Sequence, residues 1–343
     1  MHPSISNGPF LSTTRPCFSN IIFHWRIYAK GGFPDCAKLL APNLLDNYNN
    51  CISTGIPSKA QQPSVYRIRF DKLAFFNDLR CAFTFEIDQI VVCLVEMEGS
   101  DINYDDSMGD TPLAWAAWNG HEAVVKLLLG RDDIDPDKPG EESQTPLLLA
   151  ACKGHEKVVK MLLGRDDINP NYSDGRGRTP LWEAAHRGHE GIVKVLLGRD
   201  DINPDQPDKY GATPLSRAAF NRHEGVVKML LERHDVNPNN THGGDQTPLF
   251  WAAYYGDEVM VKILLGRDDI NPDKPDSRGQ TPLSLAAENG HEGVVRILLR
   301  RGDVIPGKPD KYGQTALSCA AGNGHARVIA LLQPPASAAH DTA

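Results

Sequence analysis

Two kinds of apolar spacing alternate along residues 179–197. Leu181, Ala184 and Ala185 fall at i, i+3 and i+4, which predicts a helix with one apolar face. Ile192, Val193, Val195, Leu196 and Leu197 then crowd a second stretch. That set is wider than one stripe and predicts a helix buried between two neighbours. The polar residues mark the ends. Thr179 is a natural N-cap, and Pro180 suits the first helical position, where its missing N–H costs nothing. Gly188 ends the first helix in the left-handed region, the second starts near His189, and Gly198 stops it. The small alanines let the partner helix approach closely. Two helices of about two turns each are marginal in isolation, so stacking must stabilise them.

The same pattern recurs. Thr-Pro-Leu begins at Thr111, Thr145, Thr179, Thr213, Thr247 and Thr281, and Thr315-Ala-Leu completes a series with a constant 34-residue step. Ala-Ala follows at the same offset in all seven units. Gly-His follows in five; Arg222-His223 and Gly256-Asp257 take its place in repeats four and five. Seven units in register describe an all-α solenoid in which each unit touches its neighbours.

The run T-P-L-x-x-A-A-x-x-G-H, then V-V-K-x-L-L and D-I-N, resembles the ankyrin repeat over residues 111–332. The resemblance implies an ankyrin-repeat α-solenoid with long finger loops and no chemistry of its own. Ile90, Val91, Leu94, Val95 and Asp101-Ile102-Asn103 resemble a degenerate second helix and finger, with Leu73–Phe85 as a candidate first helix. The expected organisation is therefore an irregular or disordered leader over 1–70, a degenerate capping repeat over 71–110, seven repeats over 111–333 and a disordered tail over 334–343. The fingers depart from the usual pattern: from Asn203 to Gly211 the loop is about two residues longer than in a repeat of about 33. With D-I-N-P-D-K-P-D, this variant resembles arrays of fungal proteins, which often follow a NOD-like receptor nucleotide-binding domain. The chain has no P-loop to match that domain.

Composition narrows the partners. The net charge of −8 argues against a nucleic-acid footprint, and no apolar run approaches the ~18–20 residues of a membrane span. Seven cysteines, none in C-x-x-C, predict reduced thiols and a cytoplasmic location, with the nucleus left open. A monomer is expected.

Three tempting chemistries fail on spacing. Asp201, Asn203 and Asp205 sit two apart like the first ligands of a calcium loop, but positions six and twelve are Gln206 and Ala212 in place of Gly and Glu. The finger acids are therefore expected to be solvated and to make local turn hydrogen bonds. His-Glu at 155 and 291 lacks the second His at i+4 that a zinc protease needs, since Val159 and Val295 stand there. The histidine column is expected to tie adjacent units by hydrogen bonds. No nucleophile elbow, P-loop or dinucleotide fingerprint occurs. No catalytic residue, metal ligand or cofactor is assigned, and the one enzymatic alternative is a site within residues 1–85.

Specificity must reside where the units differ. The resemblance implies that proteins bind through the finger tips and the exposed side of the first helices. Variable positions there collect Trp118, Trp182, His186, Arg187, Phe220, Phe250, Tyr254 and Tyr255, with Tyr210 and Tyr312 in the fingers. Aromatics and arginine are the residues enriched at interface hot spots. The expected function is a scaffold or adaptor for an unidentified protein. A ligand-sensing portion of a NOD-like receptor-type protein is the alternative. Trp115 and Trp251 occupy the next column inward and are expected in the core. Glu183 and Arg217, one repeat apart, are expected to form an ion pair.

Overall fold

The structure is a computed structural model that describes residues 101–103, 105 and 109–333. The leader, both candidate helices of the capping repeat and the tail lie outside the described residues. The chain divides near residue 141 into two compact units. The described part of the first holds α1 (Pro112–Asn119) and α2 (Glu122–Leu129). Ile102 is fully buried there, and Asn103 accepts the Asp135 N–H at 2.8 Å.

The second unit holds six helix pairs. The first helices are α3 (Pro146–Lys153), α5 (Pro180–Arg187), α7 (Pro214–Phe220), α9 (Pro248–Tyr254), α11 (Pro282–Glu288) and α13 (Ala316–Gly322). Their partners are α4 (Glu156–Leu162), α6 (Glu190–Leu197), α8 (Glu224–Leu231), α10 (Glu258–Leu264), α12 (Glu292–Leu299) and α14 (Ala326–Leu332). Each first helix packs on the next first helix and each second helix on the next second helix. No strand occurs among the described residues.

Threonine starts every first helix as expected. Thr179 Oγ1 accepts the Trp182 N–H at 3.1 Å, and Pro180 follows at N1. In repeat seven Ala316 replaces proline, and Ser318 completes a capping box with Thr315. Gly188 closes α5 at φ 76°, and its backbone is hemmed in as well. A Cβ there would stand 2.6 Å from the His223 ring. The histidines do tie the units: Nε2 of His223, His291 and His325 donates to the carbonyl of residues 186, 254 and 288, at 2.9–3.0 Å.

The buried stripe of α6 is narrower than the sequence suggests. Ile192, Val193 and Leu196 are buried, whereas Val195 and Leu197 are half-buried, because only one side of the second helix meets its neighbours.

Gly-Arg-Asp-Asp, or Glu-Arg-His-Asp at 232–235 and Arg-Arg-Gly-Asp at 300–303, joins successive units. Arg199 grips Asp201 through both Nε and Nη2 at 2.8 Å and sends Nη1 to the Leu163 carbonyl at 3.0 Å, at the end of α4. Arg233, Arg267 and Arg301 repeat the contact on Leu197, Leu231 and Leu265. A cation there satisfies an orphan carbonyl and complements the helix dipole. Pairing with Arg199 holds the Asp201 carboxyl below its ordinary range.

The fingers are not simply solvated. Asn171 Oδ1 accepts the Asn203 N–H at 2.8 Å, and its Nδ2 donates to the Asp201 carbonyl at 2.7 Å. Asn239 does the same toward Asn271 and Asp269. Asp205 and Asp273 stand in the same column, each accepting an N–H of the next repeat at 2.7 Å through Oδ2. Their Oδ1 atoms are buried with no partner in hydrogen-bond geometry, although the Asn240 side chain beside Asp205 favours its charged form. Burial accordingly pushes both carboxyls up, against the opposing N–H bonds. Asp174, Asp208 and Asp276 are also buried, each holding its finger tip by accepting N–H groups two and four residues on.

Candidate protein-binding face

Finger tips and first helices line one side of the second unit. Adjacent tips are joined by backbone hydrogen bonds, from Gly175 N to Glu142 O, Lys209 N to Arg176 O, Ser277 N to Gly244 O and Lys311 N to Arg278 O, all at 2.8–2.9 Å. The main chain thus holds in register the tips of repeats two to four and, separately, those of repeats five to seven.

The expected contact residues divide by burial. Tyr254 and Tyr255 are exposed on the last turn of α9, at 43% and 40%, and Phe220 is half-buried at the end of α7. These three meet around Trp251. Phe220 packs edge-on against it at 4.7 Å, Tyr255 stacks on it at 6.0 Å, and Tyr254 stands edge-on to Tyr255 at 5.2 Å. Edge-to-face and offset contacts of this kind add to simple area burial. Trp251 is half-buried rather than core, and its Nε1 is buried without a hydrogen-bond partner. Tyr210 and Tyr312 are the most exposed aromatics described, at 71% and 77%, each on an identical Pro-Asp-Lys-Tyr-Gly tip. In the first unit, Trp118 is exposed on α1 and Trp115 stacks on His121.

Trp182 and Phe250 depart from the exposure expected of them. Both are buried, because the residue after Thr-Pro-Leu turns toward the following repeat instead of outward. Trp182 donates Nε1–H to the Ala212 carbonyl at 2.9 Å and lies beneath the Arg217 guanidinium, 5.3 Å from its ring centre. Neither ring can meet a partner in this conformation.

The Glu183–Arg217 pair is also absent. Glu183 is fully buried and is held by Arg178 Nη1 at 2.6 Å and Arg187 Nε at 3.3 Å, while Arg217 reaches Asp208 at 3.6 Å. Arg178, on the finger just before α5, bridges Asp174 and Glu183 and supplies the buried charge locally. Trp182 takes the guanidinium of Arg217.

His186 is half-buried, stacked on Trp182 at 5.1 Å, with Nδ1 accepting from Asn221 Nδ2 at 2.8 Å. Burial pushes its pKa below the ordinary histidine range. It acts as a neutral strut between repeats three and four. Arg187 beside it is exposed.

One linked pair escaped sequence reasoning. Repeats four and five each break Gly-His, and the two odd side chains bond to each other, Arg222 Nε to Asp257 Oδ2 at 3.0 Å. Asp257 also caps α10 through Met260 N–H, which the histidines in this position do not do for their helices. Arg222 adopts φ 63° where its counterparts have glycine. The signal was two departures from the consensus in consecutive units.

Among the described residues no cluster of histidine, cysteine and carboxylate side chains has a metal-binding arrangement, and no helix is long and apolar enough to cross a membrane.

A family model of ankyrin repeats matches residues 80–174, 147–242, 234–306 and 249–341. Among solved structures, the chain is similar to the ankyrin repeat domain of Bcl-3, a member of the IkappaB protein family, at 26% identity and a TM-score of 0.59. That match covers 67% of this chain and 99% of the other. It is also similar to the human ASB11 ankyrin repeat domain, at 26% identity and a TM-score of 0.56, covering 66% and 100%. Comparison with curated proteins finds no match.

Proposed function

Because this chain belongs to the ankyrin-repeat family, whose repeats mediate protein–protein interaction, we propose that it is a scaffold or adaptor that holds a protein partner on the face made by its finger tips and first helices. The observation that carries this reading is the cluster of Phe220, Trp251, Tyr254 and Tyr255. Four aromatic rings meet across two repeats, and two of them stay exposed. Leaving such rings exposed on the surface of a folded unit costs apolar hydration free energy that a bound partner would recover. The first helices beneath them are tied by the Arg222–Asp257 bond and by Phe220 packing on Trp251.

The test is affinity capture with the wild-type chain and with Tyr254→Ala/Tyr255→Ala, followed by binding of the purified captured protein. Circular dichroism and melting temperature must match between the two. Loss of at least about tenfold in affinity, with folding intact, supports the reading, since central interface aromatics carry about 2 kcal/mol or more each. Unchanged binding of that partner removes the aromatic cluster from the interface.

A further inference from the structure

Repeats three and four separate their charges by depth. The segments 172–187 and 206–222 carry six cations, Arg176, Arg178, Arg187, Lys209, Arg217 and Arg222, and three acids, Asp174, Glu183 and Asp208, while Glu142 and Asp257 of neighbouring repeats reach Arg176 and Arg222. All three acids of these segments are buried. They draw Arg178 and Arg217 inward, leaving those side chains 19% and 20% exposed. Arg176, Arg187, Lys209 and Arg222 remain exposed. A chain of net charge −8 thus shows a locally cationic surface on this side.

The four cations are not consumed by their partners. Arg176 meets Glu142 only at 3.6 Å, with both side chains more than half exposed, and such a pair is worth little. Arg187 and Arg222 each engage a buried carboxylate through Nε alone. A guanidinium has five N–H donors, so the Nη groups of both can serve a ligand.

These cations adjoin the aromatic cluster. Asn221 Nδ2 donates to the His186 carbonyl at 2.9 Å, beside Arg187; Phe220 precedes it and contacts Tyr255; Arg222 follows it and bonds Asp257. Arg187, Phe220, Arg222 and Tyr255 are thus linked across repeats three to five through Asn221, Asp257 and the Phe220–Tyr255 ring contact.

Resting on the function proposed above, we infer that the occupant of this face is an acidic peptide segment with a large apolar anchor. The anchor packs on Phe220, Tyr254 and Tyr255, and the carboxylates meet Arg187 and Arg222, with Arg176 and Lys209 at the tips. Arginine forks match carboxylates bidentately. A polynucleotide fits less well. Trp251 is covered by Tyr255, stacked at 24°, and by Phe220 at 90°, so the cluster offers no open indole platform on which a base would stack. The net charge of the chain also repels a polyphosphate.

The experiment selects short random peptides on the full chain and measures the enriched sequences by fluorescence anisotropy. The inference expects net acidic peptides bearing Trp, Phe or Leu. It expects Arg176→Glu/Lys209→Glu, at exposed tips, to weaken them by about tenfold or more, with a clear salt dependence. Arg187→Gln/Arg222→Gln, checked for an unchanged melting curve, should weaken them comparably. Neutral or basic winners, indifference to all four substitutions, or no enrichment overturns the inference. So does tighter binding of a thymidine oligonucleotide that the same variants abolish. Peptides that lose binding on Tyr254→Ser/Tyr255→Ser but ignore the charge variants would sink the acidic partner while sparing the aromatic face.

Discussion

Asp205→Asn should stabilise the protein at neutral pH. In the same column Asn171 and Asn239 each make two bonds to the following repeat, one accepted and one donated. Asp205 makes the accepted bond to Asn237 N–H, but its buried Oδ1 has no partner in hydrogen-bond geometry. By the column's geometry that atom takes the place of the donating amide. The substitution adds one hydrogen bond and removes an unsatisfied buried oxygen, together worth about 1–3 kcal/mol. For an array of this size that is about 2–4 °C in melting temperature per kcal/mol. Burial raises the native carboxyl above its unfolded value, so the folded wild type holds this proton more tightly. The penalty is therefore absent below the unfolded pKa of about 3.9, grows as pH rises through the native pKa, and is constant above it. Melting curves of both proteins between about pH 4.5 and pH 7.5 should show a gap that narrows on acidification. Asn171→Asp should open a gap of the opposite sign. A neutral or destabilising Asp205→Asn at pH 7.5, or a gap independent of pH, would refute the reasoning.

Two further perturbations test the packing. Asp257→His should destabilise, because Arg222 brings a Cβ where the equivalent Gly188 leaves room for a ring, and Arg222→Gly/Asp257→His should recover most of the loss; thermal denaturation of the three variants decides it. Leu181→Ala removes a fully buried side chain and should cost about 2–5 kcal/mol, loosening repeats two to four before distant ones; hydrogen exchange that rises uniformly along the array would contradict this.

The helix pairs were legible because their signals are local. Thr179, Pro180 and Gly188 each dictate a backbone conformation at their own position, and the 34-residue step repeats that instruction. The aromatic cluster was partly legible: Tyr254, Tyr255 and Phe220 follow the paired alanines and do reach the surface side. The burial of Trp182 and Phe250 is not legible in the sequence, because variability between units does not report exposure and the third helical position points at the next repeat. The expected Glu183–Arg217 pair fails for a related reason. Axis spacing permits the pair, but Arg178 lies closer to Glu183 and Trp182 lies closer to Arg217. The finger acids were half legible: the local turn bonds form and Asp201 stays exposed, but the burial of Asp208 and Asp273 shows only when the neighbouring loop is laid against theirs.

The Arg222–Asp257 bond has a bearing on how such an array can be rearranged. Repeats joined by a glycine and a histidine are interchangeable, since any unit offers the same cleft and the same ring. The junction between repeats four and five is different, because each side carries half of a private fit. Duplicating or deleting a unit elsewhere leaves every joint matched. Splitting this one sets an arginine over a histidine on one side and leaves an aspartate beneath a glycine on the other. That joint marks a fixed address in an otherwise shufflable chain, and it lies inside the aromatic face.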